Sequence, residues 1–131
     1  MKIIIIVCIL LLPYIFAYRN EKIIGAQYVT RKITTGLLNH IPIADHHGIF
    51  IETDFGNTYL IHNTLASGTV VIPTKKSSEW KIKENIKVKG YKTIGGAMDA
   101  TSGKTNIASV NYITAKTCIG VAHDIKKYLM K

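Results

Sequence analysis

The chain has 131 residues, 47% of them hydrophobic, with 17 Lys and Arg against 8 Asp and Glu and a formal net charge of +9. That length makes one domain with one core and excludes a multidomain enzyme. The positive excess suits acidic partners such as anionic lipid, cell-wall polymer or glycosaminoglycan. It is spread along the chain, with no basic run interleaved with aromatics, so a nucleic-acid-binding module is not expected.

Residues 1–17 read as a cleavable signal peptide: Lys2, an apolar run from Ile3 to Leu12, the break at Pro13, and Ala17 at the cut. The run is shorter than the roughly 20 residues of a spanning helix. The expectation is a secreted single domain from Tyr18 to Lys131, with an uncleaved short membrane anchor as the alternative for residues 1–17. Cys8 leaves with the signal, and Cys118 becomes an unpaired thiol in an oxidising compartment.

Ile23 to Ile33 leans towards a β-strand that Gly36 closes, and Leu37 to Ile43, with Asn39 and Pro42, is a connection. A hairpin follows: His46 to Glu52, a turn at Asp54-Phe55-Gly56-Asn57, and Thr58 to His62. A three-residue loop with Gly56 left-handed sets His62 opposite Gly48 and places His46 next on the same face, whereas a four-residue loop selects His47. Gly56 favours the shorter loop, hence His46.

Thr69 to Ile72 is a short strand stopped by Pro73, and Trp80 to Tyr91 alternates among lysines as an edge strand does. Gly95-Gly96 to Gly103 reads as a flexible loop. From about Thr114 to Met130, Cys118, Ile119, Ala122, Ile125, Tyr128 and Leu129 recur at helical spacing, with Thr114 or Thr117 as cap and Lys126, Lys127 and Lys131 at the end where the helix dipole favours cations. The fold class is α+β, a small antiparallel sheet packed on a C-terminal helix.

A thiol at a helix start is placed for nucleophilic catalysis, which needs a histidine base and a polar group to orient it. Cys118 as nucleophile, His46 as base and His62 as orienting group meet that need. Asp45, His46, His47, His62 and Cys118 are also residue types that ligate zinc, but in no compact ligand spacing, so neither metal nor cofactor is expected. Gly95-Gly96 and Ser102-Gly103-Lys104-Thr105 lack the upstream glycine of a phosphate-binding loop. A cysteine on an apolar helix face is also, commonly, a small buried hydrophobe. His40 and His123 read as surface residues.

His46-His47-Gly48-Ile49-Phe50-Ile51, then Tyr59-Leu60-Ile61-His62, then Cys118-Ile119-Gly120-Val121-Ala122 at a helix start, resemble the circularly permuted papain-like amidases. These are relatives of the NlpC-type cell-wall hydrolases and include the lecithin–retinol acyltransferase group. The likeness spans roughly 45–72 and 114–129, and Thr117 and Ile119-Gly120 around the cysteine depart from the acyltransferase pattern Asn-Cys-Glu-His-Phe. It implies a permuted papain-like core and an amidase, peptidase or acyltransferase working through an acyl-thioester on Cys118. The substrate would be a peptide, a peptidoglycan-like cross-bridge or an acyl lipid. The rival expectation is a secreted binding module of the same fold with Cys118 buried and inert. A third is a dimer through a Cys118 disulfide.

Overall fold

A computed structural model describes residues 18–32, 45–64, 68–75, 77–101 and 118–131. The expected signal peptide and Cys8, the connection 37–43 with His40, the caps Thr114 and Thr117, and Gly103 lie outside the described residues.

Five strands form one antiparallel sheet: β1 (Ile23–Lys32), β2 (Asp45–Thr53), β3 (Thr58–Thr64), β4 (Gly68–Pro73) and β5 (Lys81–Ile86), in the order β4-β3-β2-β1-β5. Helices α1 (Ile94–Asp99) and α2 (Cys118–Met130) complete the α+β fold. Strand β2 sits in the middle of the sheet and the lysine-rich β5 at one edge. Its first five residues are exposed, and charge there protects a free edge from pairing with other chains.

Alternation along the strands gives the two faces different fates. Tyr28, Ile49, Ile51, Tyr59 and Ile61 point to the face that α2 covers with Val121, Ala122, Ile125 and Leu129. Val29, Phe50 and Leu60 point the other way and form a smaller cluster with Trp80. The apolar stripe of α2 at positions 121, 122, 125 and 129 is what presses this helix to the sheet, because only packing offsets the entropy of ordering so short a helix.

The stretch expected to be a loop from Gly95 begins instead with α1. Thr93 caps it, its hydroxyl accepting a hydrogen bond from the Gly96 amide at 3.0 Å. Glycine is poor in a helix, yet here packing requires it: a Cβ on Gly96 would lie 1.9 Å from the Tyr128 hydroxyl. Cap and tertiary contact together outweigh the low propensity of Gly95-Gly96.

The entry into β1 is held by a buried carboxylate. Glu21 accepts hydrogen bonds from the Thr53 hydroxyl at 3.0 Å, the Asn57 amide at 2.6 Å and the Tyr59 hydroxyl. It thereby ties the start of the sheet to the hairpin turn and fixes the end of β2 remote from the histidines.

Candidate functional site

The β2–β3 turn fixes which side chains can meet. Gly56 has φ +78° and its amide donates to the Thr53 carbonyl at 3.0 Å, while the Thr53 amide donates to Asn57. This three-residue loop with a left-handed glycine sets Gly48 opposite His62, the expected register. His46 and His62 accordingly share a face, with His46 Nε2 2.8 Å from His62 Nδ1.

Trp80 covers the pair, its ring centroid 5.6 Å from that of His46 and 5.9 Å from that of His62. The Arg31 guanidinium lies 4.9 Å over the indole. Burial, then the neighbouring His62, Arg31 and His47, lower the His46 pKa from 6.5 to about 4. Burial and Arg31 lower that of His62 as well. Only 7% of His62 is exposed, and its buried Nε2 has no hydrogen-bond partner among the described residues.

Cys118 is not brought to this pair. It is the first residue of α2, which covers the opposite face, and its half-buried thiol donates towards the Asp45 carbonyl at 3.8 Å. Of the three residues expected to act together, two meet and the third belongs to the other side of the sheet.

On that side a different set converges. The Tyr28 hydroxyl is 2.7 Å from His47 Nδ1, with the two rings edge-on at 5.6 Å, and His123 stands 5.9 Å from the Tyr28 ring. Burial raises the Tyr28 pKa to about 12, with Cys118 and then Glu84 adding to it, so its neighbours feel a phenol and not a phenolate. Burial lowers the His47 pKa; Asp45 opposes this, while His123 and Lys83 reinforce it. A neutral imidazole is competent as a base. When His47 Nδ1–H donates to the Tyr28 oxygen, Nε2 is left with its lone pair.

Tyr28 and Trp80 are what sequence reasoning missed at these sites, whereas His47 is the alternative base that a four-residue loop would select and His123 is exposed, as expected. The signal for His47 was available in β2. Ile49 and Ile51 alternate with Gly48 and Glu52, so the isoleucines mark the helix-covered face, and His47 is in phase with them. Trp80 gives no such signal, since it stands just before β5 and meets the histidines only through the pairing of β5 with β1.

Among the described residues no group of three His, Cys, Asp or Glu side chains is placed to hold a metal ion. A groove of about 200 Å³, lined by Gly25, Gln27, Phe50, Glu52 and Asn85 among others, has no histidine, thiol or hydroxyl group in its lining. Among the described residues no helix is long and apolar enough to cross a membrane.

Fold and site together define a small α+β protein: a five-stranded antiparallel sheet with one imidazole cluster on each face and a free thiol at the start of the covering helix. No family model matches the chain, and no solved structure matches it. It is 33% identical over 111 residues to "Uncharacterized protein R800" of Acanthamoeba polyphaga mimivirus, a span covering 85% of this chain and 96% of that protein. The chain belongs to the family of that viral protein.

Proposed function

We propose that the protein is a secreted cysteine hydrolase or acyltransferase of permuted papain-like arrangement, with Cys118 as nucleophile and His47 as base. One observation carries this reading. Tyr28 bonds His47 Nδ1 at 2.7 Å, and the Cys118 thiol lies 3.8 Å from the carbonyl of Asp45, two residues before His47 on the same strand, so a phenol, an imidazole and a thiol share one corner of the sheet. The likeness of the 46–51, 59–62 and 118–122 stretches to the permuted amidases supports the same chemistry, with the base moved one residue along the strand.

In the proposed reaction the thiol swings from the Asp45 carbonyl towards His47, which takes its proton on Nε2. The sulfur attacks a carbonyl carbon and the C=O π pair moves to oxygen, where the Cys118 amide at the helix start faces the developing charge. Collapse expels an amine or alcohol that receives the proton from His47, leaving a thioester for water or a second acceptor to resolve. Tyr28 holds the imidazole in the tautomer that both steps need. The substrate class is an amide or ester carbonyl of a peptide, a peptidoglycan-like polymer or an acyl lipid.

The test is the iodoacetamide alkylation rate of Cys118 at pH 7 in wild type, His47→Ala and His46→Ala proteins. His47→Ala should slow alkylation at least about tenfold and His46→Ala should leave it within about twofold. A slow rate insensitive to both substitutions refutes the enzyme. A loss confined to His46→Ala refutes His47 as base and returns that role to His46.

A second reading, a secreted binding module without turnover, is favoured by the other face. His62 Nε2 is buried without a partner among the described residues, beneath an indole and an arginine. A ligand supplying a polar atom there would satisfy it. Inert Cys118 together with ligand-induced shifts at His62 would establish that alternative.

A further inference from the structure

Three large apolar side chains stand in solvent at one end of the sheet: Phe55 is 74% exposed, Tyr91 70% and Ile24 58%. Backbone bonds bring their segments together. The Asp54 amide donates to the Lys22 carbonyl at 3.0 Å, the Ile23 amide to the Lys92 carbonyl at 2.8 Å, and Lys22 bridges to Thr93. Phe55 rides the hairpin loop, Ile24 the bulge between Ile23 and Gly25, and Tyr91 the segment that follows β5. A hairpin loop, a strand bulge and a connecting segment thus present apolar residues at one pole, and none of these residues belongs to either core cluster.

Cations fringe this pole. The Lys22 ammonium is 5.6 Å from the Tyr91 ring centroid, Lys92 follows Tyr91, and Lys87 and Lys89 are exposed on the approach. Facing them are the exposed carboxylates Glu52 and Asp54, while Glu21 is buried and fully engaged. Four lysines against two exposed acids leave the pole positive, as the whole chain is.

We infer that this end docks on the interface of an anionic lipid bilayer, with Phe55, Ile24 and Tyr91 at the headgroup–acyl boundary and the lysines among the phosphates. Exposed apolar residues drawn from separate segments, one of them a tyrosine with a polar end, and fringed by lysines, suit a soft anionic interface. Long lysine stems reach headgroups while their apolar neighbours insert.

The test uses the full chain carrying Phe55→Trp, with vesicles of phosphatidylcholine containing about one third phosphatidylglycerol and a brominated acyl chain as quencher. The wild type supplies the Trp80 background, and Ile82→Trp on β5, an exposed position paired with Val29 towards the far end of β1, is the control remote from the pole. Expected are a blue shift and quenching at position 55, stronger on anionic than on neutral vesicles and weakened by about 0.5 M salt. In a Tyr91→Trp protein, adding Phe55→Asp should weaken vesicle association at least about tenfold, and Phe55 makes no core contact whose loss would unfold the chain. Unquenched, water-like emission at position 55 overturns the inference. So does equal quenching at position 82, or self-association through Phe55 without vesicle binding.

Discussion

Acidification from pH 7 to pH 5 should weaken the fold through His46. Burial and its charged neighbours hold this ring at about 4 against the ordinary 6.5, so the unfolded chain takes up a proton that the folded chain refuses. Stability is complete above pH 6.5, falls as the pH drops towards 4, and stops falling through this residue once both states are protonated. At pH 5 proton linkage for those two pKa values gives about 2 kcal/mol, which water at the partly exposed ring reduces to about 1 kcal/mol. His62 and His47, both lowered, act in the same direction. The assay is the urea midpoint at pH 7, 6 and 5 for wild type and His46→Gln, which stays neutral throughout. Wild type should lose about 1 kcal/mol more than the variant, and the His46 ring should titrate below pH 5 by NMR. Parallel losses in the two proteins, or a ring titrating near 6.5, would refute the reasoning.

Glu21→Gln should cost about 1–3 kcal/mol in urea unfolding, because three donors converge on that buried carboxylate. Combined with Tyr59→Phe it should be less than additive, since the two substitutions remove a shared bond. Gly96→Ala should lower Tm although alanine is the better helix former. The added methyl meets the Tyr128 hydroxyl at 1.9 Å, so overpacking of about 1–3 kcal/mol exceeds the helix gain of about 1 kcal/mol. Ile125→Ala, at a fully buried position between α2 and the sheet, should cost about 2–5 kcal/mol by the same urea assay.

What the sequence made legible follows the range of each interaction. The strands, the hairpin register and the C-terminal helix rest on short-range rules: β-branched alternation, a left-handed Gly56, and apolar spacing in α2. Helix α1 escaped because Gly96 answers to Tyr128, 32 positions along the chain, and Gly95 to Arg19, far back in sequence. The meeting of His46 with His62 is a consequence of one loop and was legible. The separation of Cys118 from that pair depends on which face of the sheet α2 covers. The hairpin alone does not fix that choice, but the isoleucines of β2, on the side opposite Gly48 and Glu52, do point to it. Trp80 over the histidines needs β5 beside β1, a pairing across more than fifty residues that no local pattern encodes.

The two proposals, taken together, discriminate among substrates. Strand β2 runs from Asp45, whose carbonyl receives the Cys118 thiol, to Thr53, beside the loop that carries Phe55. Eight residue steps of strand span roughly 27 Å, close to the thickness of a bilayer's hydrocarbon core. With β2 along the membrane normal, a molecule seated on lipid by Phe55, Ile24 and Tyr91 holds its thiol about that far above the headgroup–acyl boundary. Acyl carbonyls lie at the boundary where Phe55 would rest and are out of reach of Cys118, whereas a polymer or peptide extending from the surface passes within reach. Membrane docking at this pole therefore argues for a peptide-like amide as the scissile group. A protein that docks as inferred yet cleaves acyl lipid in the same vesicles would show that one of the two placements is wrong, and alkylation of Cys118 on vesicles, with and without Phe55→Asp, would identify which.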